Sequence, residues 1–207
     1  MPTLTLYHAS PSRSSVVLWM LEELGEPYEI KLIRLTEGQN LKPEYLAINP
    51  MGKVPALLHG TAIITEVAAI CTYLADEFPG KQLNVPVGAA GRGEYLKWLF
   101  FGPSVFEPAM TDHAFPRKDD PRASALGWRD FTTVLDILTK TIAKGPYLLG
   151  EQFTAADLVV GSGLRYGMMF KLVPERNEFQ DYVARLTARP AARRAEEKDR
   201  SLAAGVG

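Results

Sequence analysis

The chain has 207 residues, of which 46% are hydrophobic and 23% charged, with a formal net charge of −1. This is an ordinary globular composition for one or two domains. It lacks the basic excess that attracts nucleic acid or anionic lipid, and no apolar run nears the ~20 residues that span a membrane.

The N-terminus, Met1-Pro2-Thr3-Leu4-Thr5-Leu6-Tyr7, lacks the basic flank and cleavage site of a signal peptide. The single cysteine excludes an intramolecular disulfide. Together these point to a reducing cytoplasm. Residues 3–7 alternate polar and apolar, as a strand does. His8-Ala9-Ser10-Pro11-Ser12 breaks the strand with a proline and several helix-capping side chains. Residues 13–24 follow a helical period, with Val17, Met20, Leu21 and Leu24 on one face and Glu22 and Glu23 off it. Gly25 ends that helix, and residues 28–32 alternate again. Strand, helix and strand in about 30 residues make a βαβ unit, so the two strands are expected to be parallel.

Residues 36–48 are polar and irregular, with one helical turn expected around Pro43. The turn Asn49-Pro50-Met51-Gly52 then leads to Val54-Pro55. Proline has no N–H, so Pro55 opens or edges a strand. The Val54-Pro55 bond is a candidate for the cis isomer. Such a corner would leave the Val54 backbone free to pair with an extended ligand, read as an added strand. Residues 56–58 and 62–65 flank Gly60 as a hairpin. Residues 66–78 form a helix with Val67, Ile70, Cys71, Leu74 and Phe78 inward. The order βαβ, irregular segment, ββα over roughly 80 residues is that of a thioredoxin-like fold.

Residues 81–87 read as a linker, and beyond them no strand alternation recurs. Helices are expected over residues 94–101, 123–142, 154–171 and 177–188, with Pro103 and Pro108 kinking the segment after the first. Thr154 and Asp157 have capping-box spacing. The tail, rich in Arg, Glu, Lys and small residues, reads as frayed or as a solvated helix.

A thioredoxin-like half followed by an all-helical half resembles the cytosolic glutathione transferases. Four stretches carry the resemblance, in order. Leu18-Trp19-Met20-Leu21-Glu22-Glu23-Leu24-Gly25-Glu26-Pro27-Tyr28 is similar to the family's first helix and second strand. Leu41-Lys42-Pro43-Glu44-Tyr45-Leu46-Ala47-Ile48-Asn49-Pro50-Met51-Gly52-Lys53-Val54-Pro55-Ala56-Leu57 resembles its glutathione-binding segment. Glu66-Val67-Ala68-Ala69-Ile70 sits where the family has an acid and then a serine. Gly150-Glu151-Gln152-Phe153-Thr154-Ala155-Ala156-Asp157 resembles its helical-domain capping motif.

The resemblance is greatest to the bacterial serine-type members. It implies a glutathione-binding domain over residues 1–80, the linker, and an all-helical domain over residues 88–207 that contributes the hydrophobic co-substrate site. It implies a homodimer, glutathione and a hydrophobic electrophile as partners, no metal and no permanently bound cofactor. Related scaffolds also serve as glutathione-dependent isomerases, dehalogenases and disulfide reductases, or as non-catalytic interaction modules.

The chemistry this implies is thiol activation. A free thiol titrates near ~8.5, so little of it is thiolate at pH 7. A hydroxyl that donates to the sulfur is worth about 1.5–3 kcal/mol, one to two pH units. A helix N-terminus adds about 0.3–1 kcal/mol. The hydroxyl is the larger effect. Ser10, Ser12, Ser14 and Ser15 all stand at the first helix start, where serines are also ordinary caps. The family pattern lands best on Ser12, and a shift of two residues would choose Ser10 or Ser14. Tyr7, at the strand end, is another hydroxyl, though a strand-end aromatic is usually core.

Arg13 stands at the same helix start and either contacts the ligand or faces solvent. The resemblance implies that Glu66 binds the γ-glutamyl ammonium and that Val54 and Pro55 hold the glutathione backbone. It implies further that Lys53 reaches the glycyl carboxylate and that Asn40 makes a polar contact. Val67 departs from the pattern: its N–H remains for the γ-glutamyl carboxylate, but the usual hydroxyl is missing. Cys71 lies on an apolar stripe and reads as an inert core thiol. His8, His59 and His113 are scattered, without metal-ligand spacing.

Overall fold

The structure is a computed structural model describing residues 3–119 and 122–204. Met1 and Pro2, the Asp120-Pro121 end of the loop before the expected long helix, and the last three residues of the tail lie outside them. The chain divides into two compact units, one formed by the first 81 residues together with the segment from Ala188 onward, the other by residues 82–187.

In the first unit a four-stranded sheet runs in the order β2-β1-β3-β4. Strand β1 (Leu4–His8) pairs parallel with β2 (Tyr28–Leu32) and antiparallel with β3 (Ala56–His59), which pairs antiparallel with β4 (Ala62–Thr65). This is the βαβ-ββα order expected. As a central strand, β1 is buried along its whole length, Thr5 and His8 included. Its polar–apolar alternation therefore does not mark an exposed face. The edge strands β2 and β4 carry the exposed positions.

Helix α1 (Ser14–Leu24) crosses between β1 and β2 and ends at Gly25, whose left-handed φ of 65° closes the helix through its N–H to Leu21 O. Helix α2 (Pro43–Leu46) is the single turn expected around Pro43. Helix α3 (Val67–Glu77) follows the hairpin, with Ile70, Cys71 and Leu74 fully buried.

The expected amphipathic face of α1 proves too narrow. Only Ser15 and Glu23 of the helix escape burial. The reason is helix α9 (Pro190–Ala204), which packs along α1. The tail is therefore a docked helix of the first unit, not a frayed end or part of the helical domain. Ala191, Ala192 and Ala195 form its small buried face, and ion pairs do the rest. Arg189 bonds Glu23 at 2.7 and 2.8 Å. Arg194 and Lys198 bond Glu22 at 2.8 and 2.7 Å. Burial opposes ionisation of Glu22, but hydrogen bonds from Lys198, Tyr28 and Arg194 outweigh it and hold the carboxyl down to about 2.

The second unit is helical. Helix α4 (Arg92–Phe101) runs through a π-helical segment, Gly102–Phe106, into α5 (Glu107–Ala114). The segment begins where Pro103 withdraws an N–H from the ladder. The expected helix over residues 123–142 is shorter. A 3-10 turn, Ala123–Ala125, precedes α6 (Phe131–Ile142), which starts only where Asp130 accepts from Thr133 N–H at 2.7 Å.

Helix α7 (Ala155–Met169) starts on the expected capping box of Thr154 and Asp157. It packs on α8 (Asn177–Thr187) at Gly161, where a Cβ would come within 2.1 Å of Leu186 Cδ1. Tyr95, Phe106, Phe179 and Tyr182 are fully buried in this unit's core.

Candidate functional site

The strand register gathers four loops at one edge of the sheet. Tyr7 faces Ala56, Ala56 faces Thr65, and His8 faces Leu32. The exits of β1, β2 and β4 and the entry to β3 therefore share that edge. They carry, respectively, the serine loop, the segment leading to Asn40, the Glu66-Val67 pair and the Val54-Pro55 corner. Strands lie ~4.8 Å apart, so β1 and β4 are about 10 Å apart across β3. An extended tripeptide has about the same length.

The serine loop is a hydrogen-bonded chain. Ser12 is half-buried. Its Oγ accepts the Ser14 main-chain N–H at 3.0 Å, and the two hydroxyl oxygens lie 2.7 Å apart. Ser14 is fully buried. Its Oγ lies 2.8 Å from His8 Nδ1, 3.0 Å from Ala9 O, and accepts Ala9 N–H at 3.0 Å. His8 has no exposed surface, and its Nε2 lies 3.0 Å from Asp199 Oδ1 on α9. Ser15 donates to the other oxygen of Asp199 at 2.6 Å. Burial works against the Asp199 charge, but hydrogen bonds from His8, Ser15 and Ser10 hold its carboxyl below the ordinary range.

These contacts sort the three candidate serines. Ser14, a candidate for meeting the sulfur, is enclosed by protein and stands behind Ser12. Ser10 spends a hydrogen bond on Asp199 and lines a groove of about 460 Å³ with Pro11, Ile33, Leu35 and Leu202. Ser12 is the half-buried hydroxyl at the head of the chain. Arg13, also half-buried, is the residue at the α1 N-cap. Tyr7 belongs to the core, its ring 5.7 Å from that of Tyr45.

The β3 corner is fixed from behind. Val54-Pro55 is cis, as expected, and so is Ser10-Pro11. Tyr45 OH and Asn49 Nδ2 both donate to Lys53 O, at 2.6 and 2.7 Å, while the Lys53 side chain is exposed. Asn40 Nδ2 donates to Gly52 O at 2.8 Å, so its amide ties two loops of the site together. Gly52 has φ 61°, and a Cβ there would lie 3.0 Å from Asn40 O. The corner needs glycine for both reasons.

Glu66 is exposed and has φ 68° and ψ 123°. A non-glycine residue in that region costs about 1–3 kcal/mol and is typically held at a site of function. Its strain turns the chain into α3, whose N-terminus has no side-chain cap. The first N–H groups of α3, that of Val67 included, have no intrahelical acceptor and suit an anion.

Burial pushes the Cys71 thiol up to about 12, so it is inert as expected. Among the described residues, no group of three or more His, Cys, Asp or Glu could hold a metal ion, and no helix is long and apolar enough to cross a membrane. Sequence reasoning missed His8, Ser15 and Asp199. The one local signal was a histidine ending a buried strand just before a run of serines. Its partner lies 191 residues away, where no local pattern points to it.

The chain is similar to known proteins over most of its length. The model of the glutathione S-transferase N-terminal domain matches residues 2–76, and that of the C-terminal domain matches residues 106–190. An uncharacterized GST-like protein of Streptococcus mutans is 31% identical, over 95% of this chain and 82% of its own. Glutathione S-transferase GstA of Escherichia coli O157:H7 is 31% identical, over 82% and 86%. Among solved structures, the ternary complex of BphK, a bacterial GST, superposes with a TM-score of 0.79 at 27% identity, covering 94% of this chain and 98% of that one. A glutathione transferase homolog from Sulfitobacter with bound glutathione superposes with a TM-score of 0.76 at 25% identity, covering 96% and 99%.

Proposed function

This chain belongs to the glutathione S-transferase family, and from that membership we propose that it activates the glutathione thiol at Ser12 for attack on a hydrophobic electrophile. The tripeptide lies along the sheet edge. Its γ-glutamyl end meets Glu66 and the α3 N-terminus at Val67, and its cysteinyl backbone pairs with Val54 beside Pro55. Its glycyl carboxylate meets Lys53, with Asn40 holding the loop beneath.

The observation that carries this reading is the half-buried Ser12 hydroxyl at the start of α1, its oxygen held by the Ser14 N–H. A thiolate bound there would compete for the Ser12 proton with Ser14 Oγ, 2.7 Å away. Donation to a thiolate contributes about 1.5–3 kcal/mol. Proximity to the bound electrophile supplies the rest of the rate gain. On this reading the enzyme is of the serine type, with glutathione as co-substrate and no resident cofactor. The resemblance further supports a homodimer working in the cytoplasm, which sedimentation and fractionation would check.

Ultraviolet difference titration of the bound thiol tests the assignment. The wild type should ionise glutathione below pH 7, and Ser12→Ala should lose the shift. A shift that survives the substitution would move the role to Ser10. One observation favours a second reading, a non-catalytic interaction module: Val67 offers no hydroxyl to the γ-glutamyl carboxylate. Absence of saturable glutathione binding would favour that module.

A further inference from the structure

The helical unit holds a cavity of about 550 Å³ among residues of α5, α6 and the segment between α7 and α8. We propose that this cavity binds an aromatic amino acid, with its ring on the apolar surface, its carboxylate at Lys171 and Arg176, and its ammonium at Glu175.

The cavity follows from how α7 ends. The chain turns at Lys171, whose φ of 58° is a left-handed value that glycine usually supplies at a helix end. The N–H groups of Leu172 and Val173 then both donate to Gly167 O, at 2.8 and 3.1 Å. A Cβ on Gly167 would come within 2.4 Å of Val173 Cγ2. Glycine is therefore what lets the segment fold back so closely on α7. The loop from Lys171 to Arg176 lines the cavity along its whole length. The other lining elements are the first turns of α6 and the end of α5.

The lining suits a flat ring. From α5 and α6, the rings of His113 and Phe131 stack with centroids 4.7 Å apart. Such a pair offers faces and edges to a third ring. Leu135 and Val173, both buried, supply apolar surface. The volume lies within the ordinary range of small-ligand sites, about 300–1,000 Å³.

The charges select the rest of the ligand. Lys171 Nζ makes no hydrogen bond or ion pair among the described residues. Arg176 is held by Asp136 Oδ1 at 2.7 Å and Thr139 Oγ1 at 2.8 Å, both through Nη1. Glu175 accepts from Gln180 Nε2 on one oxygen at 2.9 Å, and its other oxygen has no partner among the described residues. Lys171 and Glu175 therefore line one cavity without pairing with each other. The neighbouring carboxylates are engaged, Asp136 by Arg176 and Asp112 by Arg117 at 2.8 Å. A plain aromatic acid would bring a like charge towards Glu175, and a plain aromatic amine would bring one towards Lys171. A zwitterion meets both with opposite charge, through charge-assisted hydrogen bonds.

Isothermal calorimetry with L-tryptophan tests the site. It should bind saturably, with a dissociation constant of ~1 mM or tighter. Indole-3-propionate lacks the ammonium and tryptamine lacks the carboxylate, and each should bind about tenfold more weakly. Lys171→Met should weaken tryptophan by about threefold to tenfold and leave tryptamine unchanged. Glu175→Gln should weaken tryptophan by a similar factor and leave indole-3-propionate unchanged. Thr132→Trp fills the cavity from its rim and should abolish binding. Lys171, Glu175 and Thr132 are all exposed, so the fold should tolerate these changes, and circular dichroism would check it.

Failure of both L-tryptophan and L-phenylalanine to saturate by ~10 mM would overturn the proposal and leave the proposed function standing. Indole-3-propionate that binds as tightly as tryptophan would overturn the zwitterion. Binding that survives Thr132→Trp would overturn the site.

Discussion

Each unit holds a polar network around one carboxylate, and the two networks differ in how deeply that carboxylate is buried. In the second unit, Asp157 is fully buried. One oxygen accepts from Leu148 N–H at 2.7 Å and Tyr182 OH at 2.8 Å, the other from Thr154 N–H at 2.8 Å and the Thr154 hydroxyl at 3.1 Å. Every partner is an internal group of the same unit. In the first unit, Asp199 keeps 19% of its side chain exposed, and the chain through His8 and Ser14 reaches the half-buried hydroxyl of Ser12. A closed network pins the backbone segments that donate to it. A network that reaches a half-buried hydroxyl leaves a polar group within reach of a ligand.

The comparison is broken most strongly at Asp157. Asp157→Ala leaves two backbone N–H groups and a buried tyrosine hydroxyl without their acceptor. Each stranded donor costs about 1–3 kcal/mol, so the expected loss is about 3–4 kcal/mol after relaxation. Urea unfolding followed by tryptophan fluorescence would read it. The thiol acidity of glutathione bound to the folded fraction should not change. If it did, the closed network would not be merely structural.

Ser12→Ala is the converse. Its Oγ accepts the Ser14 N–H, so stability should fall by about 0.5–1.5 kcal/mol, less than at Asp157. Transition-state stabilisation should fall by about 1.5–3 kcal/mol, roughly tenfold to a hundredfold in kcat/KM. The signature is a large loss of activity beside a small shift of the unfolding midpoint, the inverse of Asp157→Ala.

Much of the fold was legible because it rests on local signals. The parallel pairing of β1 with β2 follows from the βαβ unit and the antiparallel pairing of β3 with β4 from the Gly60 hairpin, the cis corner from Val54-Pro55, and the start of α7 from Thr154 and Asp157. The candidate residues at that end of the sheet, Ser12, Asn40, Val54 and Glu66, were named from local motifs and from the family resemblance. What escaped is non-local. Helix α9 has only alanines for its buried face, and it docks by matching Arg189, Arg194 and Lys198 to Glu22 and Glu23 more than 160 positions earlier. A period finds an apolar stripe but not a set of complementary charges. The helix expected over residues 123–142 erred the other way, since apolar residues at helical spacing continued past the point where Asp130 caps α6. With α9 unplaced, Asp199 could not be joined to His8, and the histidine looked isolated.

That docking makes a pH prediction. The Glu22 carboxyl is held at about 2 in the folded chain against an ordinary 4.5. A depressed carboxylate contributes stability above its unfolded value and loses it as pH falls through the folded one. The window is therefore pH 4.5 down to 2. The side chains of Arg194 and Lys198 are 53% and 41% exposed, so solvent screening reduces the contribution to about 2 kcal/mol. Glu22→Gln should be less stable than wild type at pH 7 in urea unfolding, and the gap should close as pH approaches 2. A constant gap would mean that α9 is held by its alanine face rather than by its charges.

The finest distinction is at Val67, which lacks a hydroxyl. The α3 N-terminus offers backbone N–H donors but no hydroxyl beside the strained Glu66. Val67→Ser would add one donor to a carboxylate, and a hydrogen bond to a charged group contributes about 1.5–3 kcal/mol at best. Against this stand the loss of a half-buried valine surface and the ordering of the serine rotamer. The net gain should be about 1 kcal/mol, roughly fivefold tighter glutathione by isothermal calorimetry. The thiol acidity should not move, because Val67 follows β4 and Ser12 follows β1, about 10 Å apart across the sheet edge. An unchanged affinity would mean that the γ-glutamyl carboxylate is already satisfied by the helix N–H groups. A change in thiol acidity would mean that the two ends of the site are coupled.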